Sequence, residues 1–415
     1  MRLGSHDFSP KILGKIVRAT ARSTSFDAAA ESLGDEAEVD ISSRQAGRIA
    51  HEIGGELLHD RDRRVEQFQK KQATPESSLV PRLAAVFVDG GRIRTRSEEP
   101  GQGSGVHNPA WREDKIAGFV TMSTKSHDHD PHPELPQCFA QKQAVVELVQ
   151  GIAGQGALAD VIEAGGEDPP VLTVFEPVAD KPKPDWQPEP LVRTCQATLA
   201  SSDEFGPIVA AEAQRRNFFA AQSRAFLGDG GGWIWTLQRT YFPTFEPIVD
   251  FVHALTYVYL AAKAVGGSAT TVWERYLGWA TACWQGRVAS VLEELRAIRE
   301  GMPPPENPEG VKPTDPYEVI RKTIVYLTHN EARMDYPRYR RAGLPTSSGL
   351  VESLVKLFNR RVKGTEKFWN PTQAETILQL RAAYLSEDER LNKHLGTRTM
   401  SPYRRYQTTR TRKAG

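Results

Sequence analysis

A chain of 415 residues is too long for one ordinary core, so two or three structural units are expected. With 39% hydrophobic and 25% charged residues and a formal net charge of only +1, the composition is that of a globular protein. No overall field points to a nucleic-acid partner, so any such surface must be local. Three scattered cysteines (Cys138, Cys195, Cys283) with no C-x-x-C pair argue against a disulfide frame or a zinc ribbon and for a reducing compartment. No apolar run approaches a membrane span and the N-terminus lacks a signal-peptide block. A cytoplasmic protein with no membrane partner is therefore expected.

Residues 1–75 read as a helical unit: "SPKILGKIVRATARS", "SFDAAAESLG" and "ISSRQAGRIAHEIGGELL". The last of these starts at a Ser42 or Ser43 cap and carries Arg44, Gln45 and Arg48 early on its outer face. A short helix, a break and a polar-fronted second helix suggest a helix-turn-helix-like DNA-binding domain. Any small helical bundle is the plainer alternative. From residue 81 the texture changes. "RLAAVFVDGGRIRTR" is an apolar run, an Asp-Gly break and an alternating run, which reads as a strand turning into a hairpin. "DKIAGFVTMST" is its partner strand, and "LVRTCQATLA" a third. Residues 125–140 and 165–190, rich in Pro, Asp and His, read as loops. "FGPIVAAEAQRRNFF" is a helix, "RAFLGDGGGWIWTLQRTYF" a strand, glycine turn and helix, and "FEPIVDFVHALTYVYLAAKAV" a short strand running into a helix. Strands interleaved with helices predict an α/β sheet over 81–253 whose first part is antiparallel.

Residues 254–345 show no strand signal, only amphipathic helices split by a Pro-rich segment. A further helical part, 346–396, contains "LPTSSGLVESLVKLFNRRVKGTEKFW". At helical spacing Leu350, Val351, Leu354, Val355, Phe358 and Val362 form its buried side. A lone acid, Glu352, precedes a basic stretch in which Lys356 to Lys367 hold five cations against one anion. Residues 397–415 form a basic tail with six cations and no acid, read as flexible and able to touch phosphates.

Three acids stand out. Asp89 ends an apolar strand in "VFVDGG", and Asp229 repeats the pattern in "RAFLGDGGGW". Most Asp-Gly pairs only make turns, but two strand-end aspartates followed by glycines could meet at one sheet edge, where glycine lets a ligand approach the backbone. Glu352 could supply a third carboxylate. Three hard oxygen ligands suit Mg²⁺, and two such ions about 3.5–4 Å apart can support in-line displacement at phosphorus. Lys356, Arg360, Arg361, Lys363 and Lys367 would then neutralise a DNA backbone. Asp250 and His253, three apart at a strand–helix junction, could share a hydrogen bond. Asp250 also rivals Asp229 as second acid. "HDHDPH" (127–132) reads mainly as a solvated loop, and Trp233 and Trp235 mainly as packing residues. Arg340 and Arg341 are additional phosphate candidates.

The motifs "FVDGG", "FLGDGGGW", "PIVDFVHALTY" and "GLVESLVKLFNRRVKGTEKFW", in that order from residue 10 to about 396, resemble those of bacterial insertion-sequence transposases of the Kra type, relatives of the Mutator-like transposases. The resemblance implies an RNase H-like mixed sheet with an all-helical insertion and a D-D-E triad at Asp89, Asp229 and Glu352. Asp250 and His253 match a D-x-x-H element near the active site. It further implies two Mg²⁺ ions, for which Mn²⁺ would substitute, with Asp89 and Asp229 sharing one and Glu352 holding the other. The implied partners are DNA (terminal inverted repeats and target) and further copies of the chain, a dimer or larger, in a nucleoid-associated cytoplasmic setting. Rival readings are an inactive, domesticated DNA-binding copy, an RNase H-like nuclease, and a helix-turn-helix regulator with an unrelated α/β domain.

Overall fold

The computed structural model describes residues 8–96, 109–153, 186–305, 311–347, 349–363 and 367–398. For residues 109, 110, 151, 153 and 349–353 it describes the backbone alone. The basic tail from residue 399, most of the expected 165–190 loop and the Glu352 side chain lie outside the described residues.

Five strands form one mixed α/β sheet: β1 (Leu83–Arg96), β2 (Pro109–Ser123), β3 (Glu189–Thr198), β4 (Ser223–Gly228) and β5 (Glu246–Val249), in the order β3-β2-β1-β4-β5. β1 pairs antiparallel with β2, and β2 with β3. β4 runs parallel to β1, and β5 parallel to β4. The apolar run Leu83–Val88 is buried throughout, as a strand covered on both faces requires. Parallel β4 and β5 need crossovers, and helices α6 (Ser202–Arg215) and α7 (Gly232–Tyr241) supply them. A reciprocal capping box between Ser201 and Glu204 fixes the start of α6.

One sequence expectation is corrected here. Asp89-Gly90 makes no turn: β1 continues unbroken to Arg96, in register with β2 from Leu83↔Met122 to Arg96↔Pro109. The local Asp-Gly preference is overridden by the long ladder, and Gly91 has a steric purpose within it. A Cβ at Gly91 would lie 2.7 Å from Oδ1 of Asp114, its cross-strand partner.

The N-terminal helices are α1 (Pro10–Arg22), α2 (Phe26–Ala37) and α3 (Ser43–Gln69), each capped by a serine: Ser9, Ser25 and Ser42. α3 runs beyond the predicted stretch, its polar second half carrying Arg63–Asp60 and Lys70–Glu66 pairs at helical spacing. These helices share the sheet's core: Ile16, Ile49 and Ile53 belong to the same buried cluster as Phe87 and Leu378. α3 lies along α14 (Pro371–Leu385), tied by Arg61–Glu375 at 2.6 Å and by His51 Nδ1 to Thr376 Oγ1 at 2.8 Å.

Helices α4 (Gln137–Ala140) and α5 (Lys142–Ala153) follow β2. After β5 come α8 (Phe251–Val265), α9 (Ala269–Trp284), α10 (Val288–Glu300), α11 (Pro316–Asn330) and α12 (Tyr336–Arg341), with no strand among the described residues between them. This matches the helical stretch expected over 254–345. Helix α13 (Gly349–Val362) then lies against β1 and β2, and α15 (Arg390–Thr397) ends the described chain. Among the described residues no helix is long and apolar enough to cross a membrane.

Candidate active site

Parallel pairing sets Val88 beside Gly228, and Gly228 beside Val249. The next residue on each strand is an aspartate: Asp89, Asp229 and Asp250. Neighbouring strands lie about 4.8 Å apart, so three carboxyl groups stand side by side where β4 and β5 end. β1 alone continues past this line. Asp89 Oδ1 accepts from the Gly90 N–H at 2.7 Å, and Asp229 Oδ1 from the Gly231 N–H at 2.7 Å. Among the described residues no hydrogen bond reaches the second oxygen of either.

Asp250 is held differently. Its Oδ1 caps α8 through the Val252 N–H at 3.0 Å, and its Oδ2 lies 3.0 Å from His253 Nδ1. The side chain is 1% exposed. The expected Asp250–His253 hydrogen bond is therefore present, and both oxygens of Asp250 are engaged.

The charges act on one another at short range. Burial pushes the Asp89 carboxyl up to about 7, with the Asp229 and Asp250 charges adding and His253 and the Gly90 N–H opposing. Burial works against a charged His253, yet the Asp250 hydrogen bond and the charges of Asp250, Asp89 and Asp229 outweigh it and push the imidazole up to about 10. Each group thus depends on the others.

Helices α11 and α12 brace this line of acids. Tyr326 Oη, on α11, donates to the Asp229 carbonyl at 2.8 Å, and Tyr336 Oη to the Val249 carbonyl at 3.1 Å. Gly230 has φ +103°, a left-handed setting that favours glycine, and a Cβ there would lie 2.5 Å from the Tyr326 ring. Asn330 Oδ1 accepts from Trp235 Nε1 at 2.8 Å, which seats α7 on α11. Trp235 is thus a packing residue; Trp233 is half-buried, edge-on to Phe205. Removing the Tyr326 hydroxyl (Tyr326→Phe) should leave the fold intact, costing about 1 kcal/mol of stability, while loosening the Asp229 turn. Thermal melting checks this.

Asp114 was not singled out from the sequence. It is 0% exposed, no other described residue hydrogen-bonds either carboxyl oxygen, and burial pushes it up to about 6. Cross-strand partners share a face, so Asp114 (opposite Gly91) lies on the Asp89 face of the sheet. A carboxylate at an inward strand position facing a glycine is the sequence signal for it.

Other predicted residues are placed as follows. Arg44, Arg48, Lys356 and Arg360 are exposed; Gln45, Lys363 and Lys367 are half-buried. Lys367 Nζ donates to the Arg360 and Arg361 carbonyls at 3.3 and 3.2 Å, closing the end of α13. Arg361 does not fit a phosphate contact. It is 2% exposed, its guanidinium donates to the Thr20 and Thr24 carbonyls, and it lies over the Phe26 ring. Arg340 is also buried, paired with Asp130 at 2.5 and 2.8 Å and stacked on Trp284. Asp130 belongs to the "HDHDPH" segment, which anchors α12: the His127 N–H donates to the Arg341 carbonyl at 2.7 Å. Glu352 lies on the first turn of α13, over β1 and β2, with its side chain outside the described residues. Among the described residues, no group of three or more His, Cys, Asp or Glu side chains is arranged to hold a metal ion.

Compared with known proteins, the chain matches no protein-family model, and no curated protein matches it.

Proposed function

We propose that the chain is a DNA transposase that cleaves the ends of an insertion sequence and joins the resulting 3′-hydroxyls to target DNA. The observation that carries this reading is the alignment of Asp89 and Asp229 on adjacent parallel strands, just past their last paired residues, each with one carboxyl oxygen that no described residue hydrogen-bonds. The strand order β3-β2-β1-β4-β5, antiparallel then parallel, supports an RNase H-like core. The helical stretch between Asp250 and Glu352 supports the insertion that this reading requires.

The donor set fits a divalent cation. A carboxyl pushed up to about 7 by burial and two like charges is one whose ionised form is only partly compensated by the nearby His253. Asp89 and Asp229 would hold one Mg²⁺, and Glu352 would complete the pair. When bound, two ions activate the attacking oxygen and take up charge on the leaving oxygen. The chain's residues do the rest. Asp250 spends both oxygens on the α8 cap and His253, so it positions and does not ligate. Protonated His253 offsets the negative charge of the three aspartates and locks the Asp250 carboxyl in place. Lys356 and Arg360, exposed on α13, would face the phosphate backbone, and the N-terminal helices, through Arg44, Gln45 and Arg48, would recognise terminal repeats as a helix-turn-helix. Paired ends would require a dimer or larger assembly.

A strand-transfer assay with Mg²⁺ and labelled terminal-repeat DNA tests the reading. Joined product is expected. Cutting without joining would make the chain a nuclease on the same fold, and a mobility shift without cutting would make it a DNA-binding copy.

A further inference from the structure

The outer half of the β1–β2 ribbon carries a surface that the line of acids does not explain. Beyond Val88, where pairing with β4 stops, Arg92, Arg94 and Arg96 alternate along β1 and so share one face. Trp111 stands directly opposite Arg94 on β2, with the Arg94 guanidinium 4.7 Å from its ring centroid. Trp111 is 48% exposed, one of the few large apolar side chains among the described residues left in solvent. Phe368 extends the face. The backbone of Trp369 pairs with Arg94 and Arg96, and the Phe368 ring lies 5.9 Å from the Arg94 guanidinium. Glu113, the acid on this face, is held by Lys115 at 2.9 Å. Arg92 and Arg96 are exposed, and among the described residues no ion pair joins either to a carboxylate.

We propose that this face, on the side of the ribbon opposite Asp89, is a platform for a single DNA strand. Its arginines meet successive phosphates, and Trp111, with Phe368 beside it, stacks on bases. Residues two apart on a strand stand about 6.8 Å apart, comparable to successive phosphates on an extended nucleic-acid strand. Exposed aromatics interleaved with cations bind single strands with little sequence preference, because every base has a π-face. A duplex fits less well, since its bases are already stacked. Strand alternation puts Arg92, three residues from Asp89 on one continuous strand, on the opposite face of the ribbon, so the platform is a surface separate from the carboxyl line. This inference rests on the nucleic-acid reading of the site, and its test separates the two.

The full-length chain is titrated, without divalent cations, into a fluorescein-labelled oligothymidylate of about 16 nucleotides and into a duplex of equal length, at several salt concentrations. Wild-type protein is expected to prefer the single strand. Trp111→Ala should weaken that binding about tenfold, the scale of one lost base–aromatic stack, while Trp111→Phe restores most of it. Arg92→Ala with Arg96→Ala should reduce the slope of log K against log salt by about 1.4, two phosphates' worth for a single strand. All substituted side chains are exposed, so thermal melting should be unchanged. Unaltered single-strand affinity and salt slope in these variants, alongside normal strand transfer, overturns the platform and leaves the proposed function standing. Trp111-dependent single-strand binding without cleavage or joining upholds the platform and overturns the proposed function.

Discussion

If the chain is the proposed transposase, replacing Asp229 with Asn is expected to reduce strand transfer by about a thousandfold or more, with DNA affinity unchanged. The substitution is isosteric, and the amide oxygen can still accept from the Gly231 N–H, so the turn should persist. What disappears is the negative charge needed by a cation, whose Lewis acidity contributes several kcal/mol at about 1.4 kcal/mol per factor of ten. Asp250→Asn provides the contrast. Asp250 acts through His253 and the α8 cap, and the loss of an orienting residue beside a metal site costs about 10- to 100-fold. The Asp250→Asn loss should appear with weakened Mg²⁺ dependence and partial retention of turnover at high Mg²⁺, whereas Asp229→Asn should not be rescued. Equal and complete loss in both variants would count against assigning Asp229 as the ligand and Asp250 as its support. Rates measured across a Mg²⁺ titration distinguish these outcomes.

Glu212→Ala is expected to be the most destabilising single change. Glu212, on α6, is fully buried and accepts from Arg215 at 2.8 Å and from Arg390 at 2.6 Å. Arg215 and Arg390 also bind Asp388 at 2.6 and 2.9 Å. The network joins α6, on the sheet, to the segment leading into α15. Removing Glu212 leaves two largely buried guanidiniums with Asp388 and the more exposed Glu76 as their remaining carboxylates, and breaking a buried pair in this way costs about 3–5 kcal/mol. Chemical denaturation of the variant should show a lowered midpoint with an unchanged slope. The same network sets an acid limit. Burial works against ionised Glu212, but Arg390 and Arg215 outweigh it and hold its carboxyl well below the usual range; Asp388 is likewise held down at about 2, chiefly through Arg390. Carboxyls depressed in the folded state stabilise it fully above their unfolded values, near 4, and lose that contribution as pH falls through the folded values. This network's contribution should therefore be complete above about pH 5 and fall steeply toward pH 2. A flat profile down to pH 2 would contradict the pairing.

Much of the carboxyl line was legible in the sequence because its signals are local. An apolar run ending in Asp and followed by glycines marks a strand end with open backbone, and Asp250 three residues before His253 is a helix-cap spacing. The absence of strand character between residues 254 and 345 was equally plain. What sequence could not supply was set by distant partners. Gly90 and Gly91 stay extended because fourteen β1 residues are paired to β2, and one of those partners, Asp114, needs the space that a glycine leaves. Arg361 and Arg340 look like surface cations in a basic stretch. Only the fold reveals the Thr20 and Thr24 carbonyls, or the Asp130 carboxylate, that draw them inside. The brace from Tyr326 to the Asp229 carbonyl spans 97 residues and has no local signature.

The most direct measurement is the anomalous diffraction of a crystal soaked in Mn²⁺. A peak is expected within about 2.1 Å of carboxyl oxygens from both Asp89 and Asp229, with Glu352 completing the site and Asp250 still bonded to His253. Manganese bound elsewhere, or the Glu352 carboxyl turned away from the two aspartates, would contradict the account.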